Sequence, residues 1–212
     1  MKKIIIAACM ALAAMSASAQ ETVKLPEPQK KAEMSVMQAL QQRHSVRDFQ
    51  NKAVSEQTLS DLLWAACGVN RAEKARDGKS LITAPSAGNR QDCKVYVLKA
   101  DGAWLYIPEA HSLQKITDKN LITMAGKQEF VKTVPVNLLL VSDQRNESRL
   151  NTNLANIDCG YVSENIYLAC TALGLGTVAI GSLDKEPLIK ELNLTDMQLI
   201  LISHPIGYEK AK

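Results

Sequence analysis

Apolar positions recur at helical spacing in four stretches of the 212-residue chain. Ser35 with Gln38 three residues on forms a capping box, and Val36, Ala39 and Leu40 give the helix that follows one short apolar face. A second helix opens at Ser55. There Val54 and Leu59 are placed as a hydrophobic staple, Leu59, Leu62, Leu63 and Ala66 keep the period, and the helix stops near Gly68. The third runs from Leu154 to Leu173, and its second half, from Ile166, is apolar nearly all round, which marks a central core helix. Gly174 caps it, and Asp184 to Leu192 predicts one more.

Strand-like runs lie between these helices. Val95–Leu98 and Trp104–Ile107 flank an Asp101-Gly102 turn and predict a hairpin. Val136–Val141 follows Pro135 as a nearly continuous apolar run, the pattern of a strand buried on both faces. Thr177–Ile180 predicts a short strand ending at Gly181, and Leu199–Ser203 a last one. Helices and strands alternate without a βαβ rhythm. The expected fold is therefore α+β, a mixed central sheet flanked by helices, without internal repeats.

Residues 1–19 stand apart. Lys2 and Lys3, an apolar run from Ile4 to Met15 and the small-x-small site before Gln20 form the pattern of a secretory signal peptide, so the protein is expected to be exported, periplasmic or secreted. Ile6-Ala7-Ala8-Cys9 faintly resembles a lipoprotein box, but too little apolar sequence precedes it. Residues 20–33, with Pro26, Pro28 and Lys30-Lys31, read as a polar linker, and 34–212 as the domain. Loss of the two leader lysines lowers the formal net charge from +3 to about +1, which argues against nucleic acid as a partner. After the leader no apolar run is long enough to span a membrane. Cys67, Cys93, Cys159 and Cys170 would remain in a compartment where disulfides persist, yet Cys159 and Cys170 share one helix too far apart to bond, and four thiols in such a domain read as small buried hydrophobes. Scattered histidines and the lack of a C-x-x-C give no metal site. Asp77-Gly78-Lys79-Ser80 lacks the first glycine of a P-loop.

Three stretches carry candidate chemistry. Arg43-His44-Ser45-Val46-Arg47 puts two guanidinium groups and a hydroxyl within one turn of chain, enough to grip a phosphate, although a basic residue at a helix C-terminus also complements the helix dipole. Thr83 to Gln91 is a loop rich in exposed amides, able to lay donors and acceptors against a planar ring or simply to connect elements. Gly174-Leu175-Gly176-Thr177 to Ser182 joins the core helix to a strand. No Ser-His-Asp or paired-carboxylate arrangement is visible.

In this order and spacing the three stretches resemble the FMN-dependent nitroreductase family, from about residue 35 onward. The resemblance implies that Arg43, Ser45 and Arg47 hold the FMN phosphate, with His44 among them in a structural role. Pro85, Ser86, Ala87 and Asn89 would reach the flavin from the other protomer of an intertwined homodimer. Ala179 and Ile180 would pack on the ring face, and the Gly181 N–H would point at N5. Many members add a basic C-terminal residue, for which Lys210 is the candidate, and many carry Glu where this chain has Gly181. The implied activity is hydride transfer through FMN, with NAD(P)H as the possible reductant, to nitroaromatic or quinone-like acceptors. An oxidase or dehydrogenase of the same fold acting on a heterocycle or peptide, and a non-catalytic flavin-binding protein, are the alternatives, since NAD(P)H is not expected outside the cytoplasm. Substrate choice is expected to reside in residues 110–130 and 144–150.

Overall fold

A computed structural model describes residues 20–75 and 78–211, and its spine is one six-stranded sheet. The predicted leader lies outside the described residues. The strands, in chain order, are β1 (Thr22–Lys24), β4 (Cys93–Lys99), β5 (Gly102–Ile107), β6 (Ser112–Thr117), β7 (Val136–Asp143) and β8 (Gln198–Ile206), arranged β1-β6-β5-β4-β7-β8. β2 (Val69–Lys74) and β3 (Ser80–Ile82) form a separate ribbon. The α+β class holds, but every pairing among the described residues is antiparallel, so the sheet is not mixed.

The sheet is covered on both sides because its central strands alternate two apolar sets. On β4 and β7, Val95, Val97, Leu138 and Leu140 face a core shared with α2 (Glu56–Cys67) and α3 (Thr152–Ala172). Tyr96, Leu98, Leu139 and Val141 face a second core with Val46, Phe49, Val178, Ile180 and α4 (Lys185–Glu191). That is the two-faced burial expected of Val136–Val141.

The caps stand where the sequence puts them. Ser35 and Gln38 close a reciprocal box at the start of α1 (Val36–Gln42), and Ser55 accepts from Thr58 N–H at the start of α2. α3 begins two residues before the expected Leu154, where Asn151 caps it by accepting from Leu154 N–H at 3.0 Å. The predicted hairpin forms with Lys99 opposite Gly102.

Two expectations fail. Residues 20–33 are not a linker: Thr22, Val23 and Lys24 pair with β6, Leu25 is buried, and Ser60 and Gln57 on α2 donate to the Pro26 and Glu27 carbonyls at 2.6 and 3.0 Å. A three-residue edge strand is too short to show an alternating pattern, so the domain starts near Gln20 rather than at 34. Residues 177–180 are extended but not a regular strand, held along β8 only by bridges from Gly176 to Gly207 and from Ile180 to Ser203. Cys67, Cys93, Cys159 and Cys170 are all buried, free thiols.

Candidate functional site

Where α1 ends, the chain turns out of the helix at Arg43 and runs back across the core helix. Val46 donates its N–H to the Thr177 carbonyl at 3.0 Å and buries its side chain against Gly176, where an added Cβ would stand 2.8 Å from Val46. The 43–47 stretch and the 176–181 stretch are thereby fastened side by side. Tyr167 of α3 joins them from below. Its hydroxyl accepts the Ala179 N–H at 2.8 Å and lies 3.5 Å from Ser45 Oγ, while the Arg43 guanidinium sits 5.3 Å from its ring centre. Behind Tyr167, His204 packs edge-on at 5.3 Å and bridges the hydroxyls of Ser163 (2.9 Å) and Thr177 (3.1 Å). Burial drives this imidazole down to about 3, so it is neutral and each ring nitrogen can find its complementary hydroxyl role.

The charges here are unequally satisfied. Lys210 pairs with Asp48 at 2.8 Å and donates its N–H to the Asp48 carbonyl, so it stands beside the clamp with its ammonium already engaged. His44 meets acceptors at both ring nitrogens, the Gln42 carbonyl and the Glu209 carboxylate, each at 2.9 Å, and ties the clamp to the C-terminal segment. Arg43 and Arg47 have no carboxylate partner among the described residues, and Arg47 is exposed. Two guanidinium groups without a carboxylate partner among the described residues, on either side of a half-buried hydroxyl, have the chemistry to hold a dianion.

At the far end of the 176–181 stretch, Ile180 turns its side chain into the core, leaving Ala179 half-buried at the surface. Gly181 is exposed. A Cβ there would meet nothing within 4 Å, and among the described residues its N–H donates to no acceptor. The Gly126–Gln128 segment stands next to it, with Lys127 N–H donating to the Ser182 carbonyl at 3.1 Å and Gln128 to the Ser182 hydroxyl at 2.9 Å. This part of the predicted 110–130 region therefore borders the site, whereas residues 112–117 are β6, on the other side of the sheet's centre. Residues 144–150 lie instead at the start of α3, where Gln144 and Asn151 bond each other.

The loop of Pro85, Ser86, Ala87 and Asn89 is not brought to this clamp. It is anchored on α3 at Asp158, which accepts the Ala87 N–H. Asp158 and Tyr167 are nine residues apart, roughly 13.5 Å of rise and half a turn out of phase, so loop and clamp occupy opposite faces of one helix. Tyr167 and His204 were not legible as site residues, because an aromatic and a histidine within apolar runs look like core. Among the described residues no group of three or more His, Cys, Asp or Glu could hold a metal.

The model of the nitroreductase family matches residues 40–208. The chain belongs to that family. It is therefore an oxidoreductase by descent, with the clamp, loop and glycine-bounded stretch all inside the matched span. A nitroreductase-like protein of Methanocaldococcus jannaschii is 30% identical over 199 residues, covering 87% of this chain and 95% of its own. The crystal structure of a nitroreductase-like protein of Ralstonia eutropha shares 31% identity and superposes with a TM-score of 0.80 over 90% of each chain. An FMN-dependent nitroreductase of Clostridium difficile, at 17% identity, has the same fold with a TM-score of 0.58 over 82% of this chain and 87% of its own.

Proposed function

We propose that the protein is an FMN-dependent oxidoreductase that passes hydride to nitroaromatic or quinone-like acceptors, with NAD(P)H as a candidate reductant. The observation that carries this reading is the pair Arg43 and Arg47, guanidinium groups without a carboxylate partner among the described residues on either side of Ser45, joined through Tyr167 to a stretch that ends in a free, exposed N–H at Gly181. Those residues fit FMN. Arg43, Ser45 and Arg47 would hold its phosphate, and Gly181, having no side chain, would let a planar ring approach the backbone donor. When bound, FMN supplies the hydride chemistry, so the protein needs no acid or base of its own. The family match and the FMN-dependent relative support the same cofactor.

The reading includes a homodimer. The outer stripe of α3 carries Ile157 (51% exposed), Gly160 and Tyr161 (47% exposed), an apolar face with a small residue at its middle. A second copy crossing there would set its Pro85–Asn89 loop near a clamp that the chain's own loop does not meet. Export follows from residues 1–19 and is tested by the mass of the mature N-terminus.

The deciding experiment is titration of purified apo-protein with FMN, followed by assay with reduced nicotinamide and a nitroaromatic. A yellow protein that keeps FMN through desalting and reduces the nitro compound is expected. A protein that stays colourless overturns the reading, and one that holds FMN but turns over no acceptor is a flavin-binding protein.

A further inference from the structure

The Pro85–Asn89 loop rests on α3 through a carboxylate that has an unusual neighbour. Asp158, 2% exposed, accepts the Ala87 N–H with both oxygens, at 3.0 and 3.2 Å. Asp92, 3% exposed, lies within hydrogen-bonding reach of it. Asp92 Oδ2 accepts the Ser142 hydroxyl, whereas Oδ1 is buried with no partner. A buried carboxylate oxygen without a donor, beside a second carboxylate, is a costly arrangement that a single proton completes. Carried by Asp158, that proton would be donated to Asp92 Oδ1 while the other Asp158 oxygen keeps the Ala87 N–H.

We propose that Asp158 is a positioning residue for this loop in its protonated form, a hydrogen-bond bridge from Ala87 to Asp92, and that the loop's seat loosens when the pair gives up the shared proton. The surrounding charges oppose the proton only in part. Arg90, the cation of the loop, has Nε and Nη2 buried without hydrogen-bond partners and lies 3.4 Å from Glu147, so its charge is divided. Lys94 on β4 donates to the Gln91 carbonyl, and on β7 Asp143 is neutralised by Arg145 at 2.6 Å. The neighbouring Cys93 is held as a neutral thiol by burial. Burial first, then Asp92, pushes the Asp158 carboxyl up to about 6 against the opposing Ala87 N–H and Arg90.

The proton bridge is independent of the function proposed above, on which only its effect on cofactor rests. Asp158→Asn tests both, because its amide donates to Asp92 Oδ1 and its carbonyl accepts from Ala87 without titrating. In the apo-protein, the difference in unfolding temperature between Asp158→Asn and wild type should be small at pH 3.5 and favour the variant by on the order of 5 °C at pH 8. An equal loss at both pH values, or no difference at either, overturns the bridge. Asp92→Asn removes the neighbouring charge and should reduce, relative to wild type, the stability lost as pH rises between about 4 and 6. FMN affinity is then compared as the ratio of variant to wild type, which cancels the titration of the phosphate itself. The ratio should be near one at pH 5 and rise severalfold at pH 8. A flat ratio alongside the expected unfolding result removes the loop from the cofactor site and leaves the bridge standing.

Discussion

At the scale of single residues, the clamp makes a sharp prediction. Arg47→Ala removes a charge-assisted contact to a dianion, which typically contributes about 1.5 to 3 kcal/mol. FMN affinity should fall roughly ten- to a hundredfold. Riboflavin, which lacks the phosphate, should bind wild type and variant alike, and the exposed position of Arg47 means that the fold survives. Unchanged FMN affinity in a folded variant would return Arg43 and Arg47 to the helix-dipole role. His204 makes a prediction in pH. Its folded value, about 3, lies below the 6.5 of an unfolded histidine, so below pH 6.5 the unfolded chain binds a proton that the folded one refuses. Stability should therefore decline as pH falls from 6.5 toward 3, and His204→Asn should flatten that slope in denaturant titrations. Asp158 has the opposite sign, since its folded value is raised, and costs stability as pH rises from about 4 through 6.

At the scale of elements, the decisive joint is the one between the end of α1 and the stretch leading to Gly181. Among the described residues it is held by the Val46 to Thr177 hydrogen bond, the Tyr167 hydroxyl and the seating of Val46 on Gly176 rather than by a strand ladder. Gly176→Ala would place a methyl 2.8 Å from the Val46 side chain, well inside van der Waals contact, and should cost about 1 to 3 kcal/mol together with FMN affinity. Val46→Ala in the same background should restore part of both. A double-mutant cycle without coupling would show that the two stretches are held apart by something else.

At the scale of the molecule, light scattering should report a dimer at micromolar concentration. Gly160→Leu isolates the interface: a Cβ there would meet nothing within 4 Å beyond its own turn of helix, and replacing a mid-helix glycine should favour the helix by up to about 1 kcal/mol. The variant should fold at least as well as wild type, dimerise more weakly and lose FMN with the dimer. A variant that remains dimeric and yellow would place the interface away from this face of α3.

Local rules made much of this protein legible without coordinates. The capping box at Ser35, the cap at Ser55 and the two-faced strand at Val136–Val141 depend on neighbours one to four residues away, and short-range geometry determines them. What only the tertiary structure decided involves groups far apart in the chain. Thr22–Lys24 becomes a strand because β6 offers it an edge some ninety residues later. Tyr167 and His204 join the site because Ala179, Ser45 and Thr177 converge on them, and Asp158 matters because Ala87 and Asp92 arrive from another layer. The separation of loop and clamp is likewise a property of the folded helix, since two contacts nine residues apart on α3 point in opposite directions only once the helix has formed.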